Sequence, residues 1–272
     1  MALRKNPGMK SLVVFSLLGL LSLRAQAAIE GHDVEYQAGN TACQGYVAMD
    51  TDAKKPGAAV LVIHDWMGLS DHTKEKCQQL AKLGYVAFAA DIYGKGVRPA
   101  DRGEAGKLAG KYKGDRKLLR ERVNAALAKL EQTSGIKGDR IAAIGFCFGG
   151  TTAIELARSG AEIAGVVSFH GGLDSPTPAD GKSIKAKVLV LHGADDPTMK
   201  KADIEAFQEE MRSGGVDWEM VSYGDAVHSF TQPWAGTDKS TGVAYNEKAD
   251  RRSWQAMQDF FGELFAKEIA RR

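Results

Sequence analysis

A chain of 272 residues that is 44% hydrophobic, 26% charged and 8% aromatic is too apolar and too evenly charged to be disordered, and its pattern is neither collagen-like nor that of a coiled coil. Residues 1–27 carry four basic and no acidic side chains, so the formal charge of +2 becomes 32 basic against 34 acidic groups, or −2, without them; neither nucleic acid nor an anionic membrane surface is implied as a partner. The remaining length suits one large α/β domain with its own core.

In chain order, Arg4, Lys5 and Lys10 precede an apolar run from Leu12 to Leu23 and the pattern Ala25-Gln26-Ala27, which reads as a secretory signal cleaved after Ala27. A run of roughly a dozen apolar residues falls short of the ~20 that span a bilayer. We therefore expect an exported, periplasmic or secreted domain over 28–272, a monomer with no membrane attachment after cleavage. Residues 32–50 read as an antiparallel lead-in pair. Apolar, β-branched runs then alternate with helical patterns: strand 58–64, helix 74–83, strand 85–90, helix 118–130, strand 140–145, helix 151–158, strand 165–169, strand 187–192, helix 200–212, strand 218–223 and a last helix 246–270. The stretch 93–114, polar and rich in Gly and Lys, reads as a surface excursion. Such alternation implies right-handed βαβ units and a mostly parallel sheet with helices on both faces. Strands that are apolar throughout, such as AAVLVI and KVLVL, fit a sheet buried on both sides.

Functional groups in such a sheet gather at the carboxyl ends of the strands, and the unusual residues of this chain cluster there. Gly145-Phe146-Cys147-Phe148-Gly149 lies between an apolar strand and a helix, the setting in which G-x-S-x-G makes a nucleophile elbow, with cysteine in place of serine. Cys147 is the expected nucleophile; the glycines leave room where strand and helix backbones approach. A cysteine needs a base and an orienting acid, and His228 and Asp196 follow it in the order nucleophile, acid, histidine. Asp195 competes with Asp196, but the residue before Pro197 is held extended and projects its carboxylate from the turn. Backbone N–H groups of Trp66 and Phe148 are the expected oxyanion donors, and Asp65 is expected beside the thiol. His64, His170 and His192 could be joined in a zinc site, but their spacing gives no support; hydrogen bonds at strand exits explain them more simply, so no metal or cofactor is expected. His32 and His72 read as solvated. Three cysteines in an exported chain leave at least one thiol free; Cys43 and Cys77 are the pair that could bridge.

The segments V-I-H-D-W-M-G-L (62–69), L-G-Y-V-A-F-A-A-D-I-Y-G (83–94), I-G-F-C-F-G-G (144–150), L-H-G-A-D-D-P (191–197) and A-V-H-S-F (226–230) resemble the dienelactone hydrolase family, the cysteine branch of the α/β-hydrolases, over nearly the whole mature chain. The resemblance implies an α/β-hydrolase fold, a small-molecule ester or lactone substrate, a Cys147-His228-Asp196 triad, a thioester intermediate and no cofactor. In that family a glutamate occupies the place of Asp65 and restrains the cysteine until substrate arrives; here the side chain is one methylene shorter. The family also holds a substrate carboxylate with arginine, once at the position four past the histidine, where this chain has Gln232. That departure argues against dienelactone itself and leaves Arg98 or Arg102 as the candidate cation. A thioesterase or general carboxylesterase stays open, because a triad determines acyl chemistry and not the acyl group. The competing class is a binding or redox module on the same fold.

Overall fold

The computed structural model describes residues 1–2, 28–52 and 56–266. The expected secretory signal, and the end of the last helix, lie outside the described residues. Two strands, β1 (Ile29–Ala38) and β2 (Thr41–Asp50), form an antiparallel hairpin whose two-residue turn uses Gly39 at φ +57°. There follow β3 (Ala59–Ile63), α1 (Asp71–Lys82), β4 (Val86–Ala90), α2 (Arg102–Gly114), α3 (Arg116–Ser134), β5 (Ile141–Phe146), α4 (Phe148–Arg158), β6 (Gly165–Phe169), β7 (Lys187–Gly193), α5 (Lys201–Gly214), β8 (Trp218–Tyr223) and α6 (Glu247–Phe265). The eight strands make one sheet in the order β1-β2-β4-β3-β5-β6-β7-β8, parallel from β4 to β8.

Side chains of the central strands alternate between two cores, which is why those strands are apolar at every position. Ala59, Leu61 and Ile63 face Leu119 to Leu130 of α3 and Phe207 of α5, whereas Val60 and Val62 face Leu80 of α1 and Phe261 of α6. The chain reverses its direction of growth at β3, with β4 on one side and β5 on the other, so the exits of β3 and β5 are neighbours: Ile63 pairs with Gly145. This juxtaposition brings residues 64–66 next to Cys147.

The stretch 93–114, expected as a surface excursion, instead contains α2. Asp101 caps it by accepting from Glu104 N at 2.9 Å, and Asp115 both ends it and caps α3, accepting from Leu118 N at 2.9 Å. Only Ala105, Ala109 and Tyr112 are buried on α2, too small an apolar stripe to show as helical periodicity. Helix α4 also starts three residues before the expected Thr151, immediately after Cys147. At its far end Arg158 is fully buried; it bonds Glu155 at 2.8 Å and both oxygens of Glu210 at 2.9 and 2.6 Å, and donates to the carbonyls of Leu173 and Asp174. Desolvation of that guanidinium is offset by these five hydrogen bonds, two of them to the buried carboxylate of Glu210.

Candidate active site

Strand β5 turns into α4 through one residue, Cys147, at φ 54° and ψ −113°. This conformation is strained for a side chain with a Cβ, and close packing of glycines enforces it. A Cβ on Gly145 would lie 1.9 Å from the carbonyl oxygen of Gly149, and one on Gly149 would lie 2.3 Å from that of Ile63. The cysteine N–H donates to Phe169 O at 3.0 Å, and its carbonyl accepts from Gly150 and Thr151 of the first helical turn. The thiol is thereby held at the tip of a rigid turn in front of a helix N-terminus, where negative charge is favoured.

His228 comes from the loop after β8, pinned by backbone bonds to Gly242 and Ala244. Its Nε2 lies 3.1 Å from Cys147 Sγ, and its Nδ1 lies 2.8 Å from Asp196 Oδ2. The other carboxylate oxygen of Asp196 accepts from the N–H and the hydroxyl of Thr198, at 2.8 and 2.7 Å. Asp195 is exposed and its N–H closes the turn onto Ala226 O. Burial opposes ionisation of Asp196, but the bonds from His228 and Thr198 outweigh it and hold the carboxyl below its usual range. Burial likewise opposes protonation of His228; the bonds to Asp196 and Cys147 outweigh it and raise the imidazole to about 10. Thr198 escaped the sequence reading, although a Thr two residues past a turn aspartate is the ordinary signature of such a cap.

The two expected oxyanion residues flank the thiol: Trp66, Cys147 and Phe148 line one cavity of about 380 Å³, together with His228. The Trp66 carbonyl accepts from Tyr93 Oη at 2.9 Å, and Phe148 lies 5.9 Å from the ring of His64, nearly parallel to it. A second cavity of about 430 Å³ shares Trp66, Cys147 and His228 and is walled by the loop that carries the histidine, including Ser229, Trp234 and Val243.

The carboxylate of Asp65, expected beside the thiol, is engaged by two other partners. Its Oδ1 accepts from Met67 N at 2.8 Å and its Oδ2 from Gln232 Nε2 at 2.6 Å, while the thiol's hydrogen bond goes to His228. The shorter side chain and the glutamine that departs from the family pattern are thus partners of each other. Of the two candidate arginines, Arg98 is engaged with Leu69 O and Val97 O and lies 3.5 Å from Asp91. Arg102 lines the second cavity and, among the described residues, makes no hydrogen bond or ion pair.

Of the remaining histidines, His64 and His170 make hydrogen bonds at strand exits, whereas the buried Nδ1 of His192 has no partner among the described residues. His64 bonds Asp65 O at 2.6 Å and accepts from Ile92 N at 3.2 Å, and burial drives it down to about 4. His170 bonds Thr231 at 2.8 Å, lies edge-on to His228 and is kept neutral by burial. His192 is buried, and burial lowers its basicity. His72, expected to be solvated, is half-buried against Phe146 and lowered to about 4 by burial and by Lys76, whereas His32 is exposed. Cys43 and Cys77 are separate buried thiols in the two opposite cores, so the bridge they could have made is not formed.

Residues 43–265 match the dienelactone hydrolase family. The chain belongs to that family. A probable 2-oxo-3-(5-oxofuran-2-ylidene)propanoate lactonase of a Bradyrhizobium species is 31% identical over 182 residues, 63% of this chain and 73% of the relative. The crystal structure of a dienelactone hydrolase-like promiscuous phosphotriesterase from metagenomic libraries is 41% identical and superposes with a TM-score of 0.82 over 87% of this chain and 99% of that one. A dienelactone hydrolase of Anabaena variabilis, at 18% identity, TM-score 0.61 and coverage of 85% and 98%, shares the fold. Family membership makes the chain a hydrolase of an ester or lactone with the α/β-hydrolase fold.

Proposed function

We propose that this dienelactone hydrolase family member is an exported, cofactor-independent cysteine hydrolase that acts on a small ester or lactone through a thioester. The observation that carries the reading is the continuous relay from Asp196 Oδ2 through His228 to Cys147 Sγ, at 2.8 and 3.1 Å, on a strained elbow. His228, raised to about 10, already holds the shared proton on Nε2 when Sγ attacks the acyl carbon. The carbonyl oxygen, now negative, takes hydrogen bonds from the N–H groups of Trp66 and Phe148. Collapse of this intermediate breaks the ester C–O bond, and the leaving oxygen takes the proton from His228. Water then adds to the thioester with His228 as base, which releases the acid and frees the sulfur. Asp196 keeps Nδ1 protonated and Nε2 aimed at sulfur throughout. Arg102, uncompensated in the second cavity, favours substrates with a polar or anionic group on that side.

Reduced mature protein incubated with an activated aryl ester should release the phenol and, on denaturing mass spectrometry, show an acyl adduct on a peptide containing Cys147. Absence of turnover on every activated ester and lactone tried would overturn the hydrolytic reading. For export, N-terminal sequencing of the periplasmic fraction should begin at Ala28; a sequence beginning near Met1 would refute it.

A further inference from the structure

Helix α2, unforeseen in the sequence pattern, forms one wall of the 380 Å³ cavity that opens onto Cys147. Gly106 and Gly110 lie one turn apart on it and both line the cavity. Neither has a positive φ, and a Cβ built on either would meet nothing within 4 Å. At Gly145 and Gly149 backbone atoms occupy the space of a side chain; at Gly106 and Gly110 no part of this chain does. Glycine is the weakest ordinary residue in a helix interior, so the helix is weakened at two places where the packing of the fold asks for nothing.

We infer that Gly106 and Gly110 are specificity-determining residues, leaving room along α2 for the acyl portion of the substrate. The inference rests on the proposed nucleophilic role of Cys147. Assignment of the acyl side follows from what builds each cavity. The first is walled by α2 and the nucleophile's own helix (Phe148, Thr151), with Leu173 and Met199. The second is built largely from the loop that carries His228, and the proton donor must stand beside the leaving group. At about 380 Å³ the first cavity reaches the ~300–1,000 Å³ typical of small-molecule sites, far more than an acetyl group fills. Its walls combine Ala109, Leu173 and Met199 with the charged Lys113, Asp174 and Asp203, so the lobe takes an extended acyl chain along its apolar side.

The test compares 4-nitrophenyl acetate with 4-nitrophenyl octanoate, which share a leaving group, in the wild type and in Gly106→Leu and Gly110→Leu. Since each methylene in an apolar pocket is worth about tenfold or more, kcat/KM for octanoate should fall by at least ~10-fold in the leucine variants while that for acetate stays within about twofold. Gly106→Ala and Gly110→Ala should show the same selectivity in weaker form and melt at a higher temperature, because alanine favours the helix. These alanine variants keep the result readable should leucine impair folding. Equal losses on both esters, no loss on either, or a selective loss on acetates of bulky phenols would overturn the inference. Binding of octanoate, the product acid, to Cys147→Ala by calorimetry separates the two levels: weakening on adding Gly110→Leu supports the acyl lobe independently of turnover, unchanged affinity refutes it, and hydrolysis persisting in Cys147→Ala would refute the nucleophile alone.

Discussion

Gln232 Nε2 donates to Asp65 Oδ2 at 2.6 Å, a buried contact between residues 167 positions apart in the chain. Burial pushes the Asp65 carboxyl upward, opposed by this bond and by the one from Met67 N. The carboxylate therefore braces the turn that carries Trp66, and the loop after His228 is tied to the loop after β3. In the same pair, the Gln232 carbonyl oxygen is buried with no hydrogen-bond partner among the described residues.

This asymmetry makes the pair testable. Gln232→Leu leaves a buried carboxylate one donor short and is expected to cost about 1–3 kcal/mol, read as a lower melting temperature. Asp65→Asn can accept from Met67 N while its amide donates to the idle Gln232 oxygen, so its melting temperature should equal or exceed that of the wild type. A large destabilisation by Asp65→Asn would show that the charge itself is needed in that turn.

The two aspartates after β7 should separate cleanly. Asp196→Asn replaces the carboxylate that holds His228 Nδ1–H and should slow kcat by roughly 10⁴, the magnitude seen when a triad histidine loses its tautomer. Asp195→Asn touches an exposed side chain and should stay within about threefold, since exposed substitutions rarely perturb a site held elsewhere. Paired kcat and thermal-melt measurements check this; a worse kcat for the Asp195 variant at unchanged stability would reverse the assignment.

The raised pKa of His228 carries a sign for stability. A histidine near 10 when folded and ~6.5 when unfolded contributes fully below ~6.5, and the contribution is lost as pH rises through about 10. Asp196, lowered in the fold, acts in the opposite sense: its contribution is present above ~4 and lost as pH falls through its folded value. The melting temperature should decline between pH 7 and 10, and less steeply in Asp196→Asn. NMR titration of the imidazole should place His228 well above an ordinary histidine in the wild type and lower in Cys147→Ala.

Thiol accessibility should sort the three cysteines. Burial pushes both Cys43 and Cys77 upward, Cys77 the further, and both are inaccessible, whereas Cys147 opens onto two cavities. Alkylation of the native reduced protein should modify Cys147 alone, and alkylation after unfolding should modify three residues. Native labelling of Cys77 at a rate comparable to Cys147 would contradict the packing of α1 against the sheet.

Sequence alone indicated the architecture and the three residues, Cys147, His228 and Asp196, that the structure brings within hydrogen-bond reach of one another, because both are written in local signals. Apolar strands buried on two faces cannot alternate, a Gly-x-Cys-x-Gly turn between strand and helix leaves few backbone geometries, and proline after Asp196 selects between adjacent aspartates. Tertiary structure decided what depends on distant neighbours. The family pattern marked Asp65 as a restraint on the thiol, but the partner that claims its carboxylate lies on another loop, 167 residues away, and a shorter side chain changes which contact is reached. The opposite placement of Cys43 and Cys77 follows from which face of the sheet each packs on. Helix α2 was invisible because periodicity is carried by bulky apolar side chains, and the residues with which it walls the cavity are glycine and alanine apart from Lys113. The property that hid it from the pattern, the absence of side chains, is what leaves space beside Cys147.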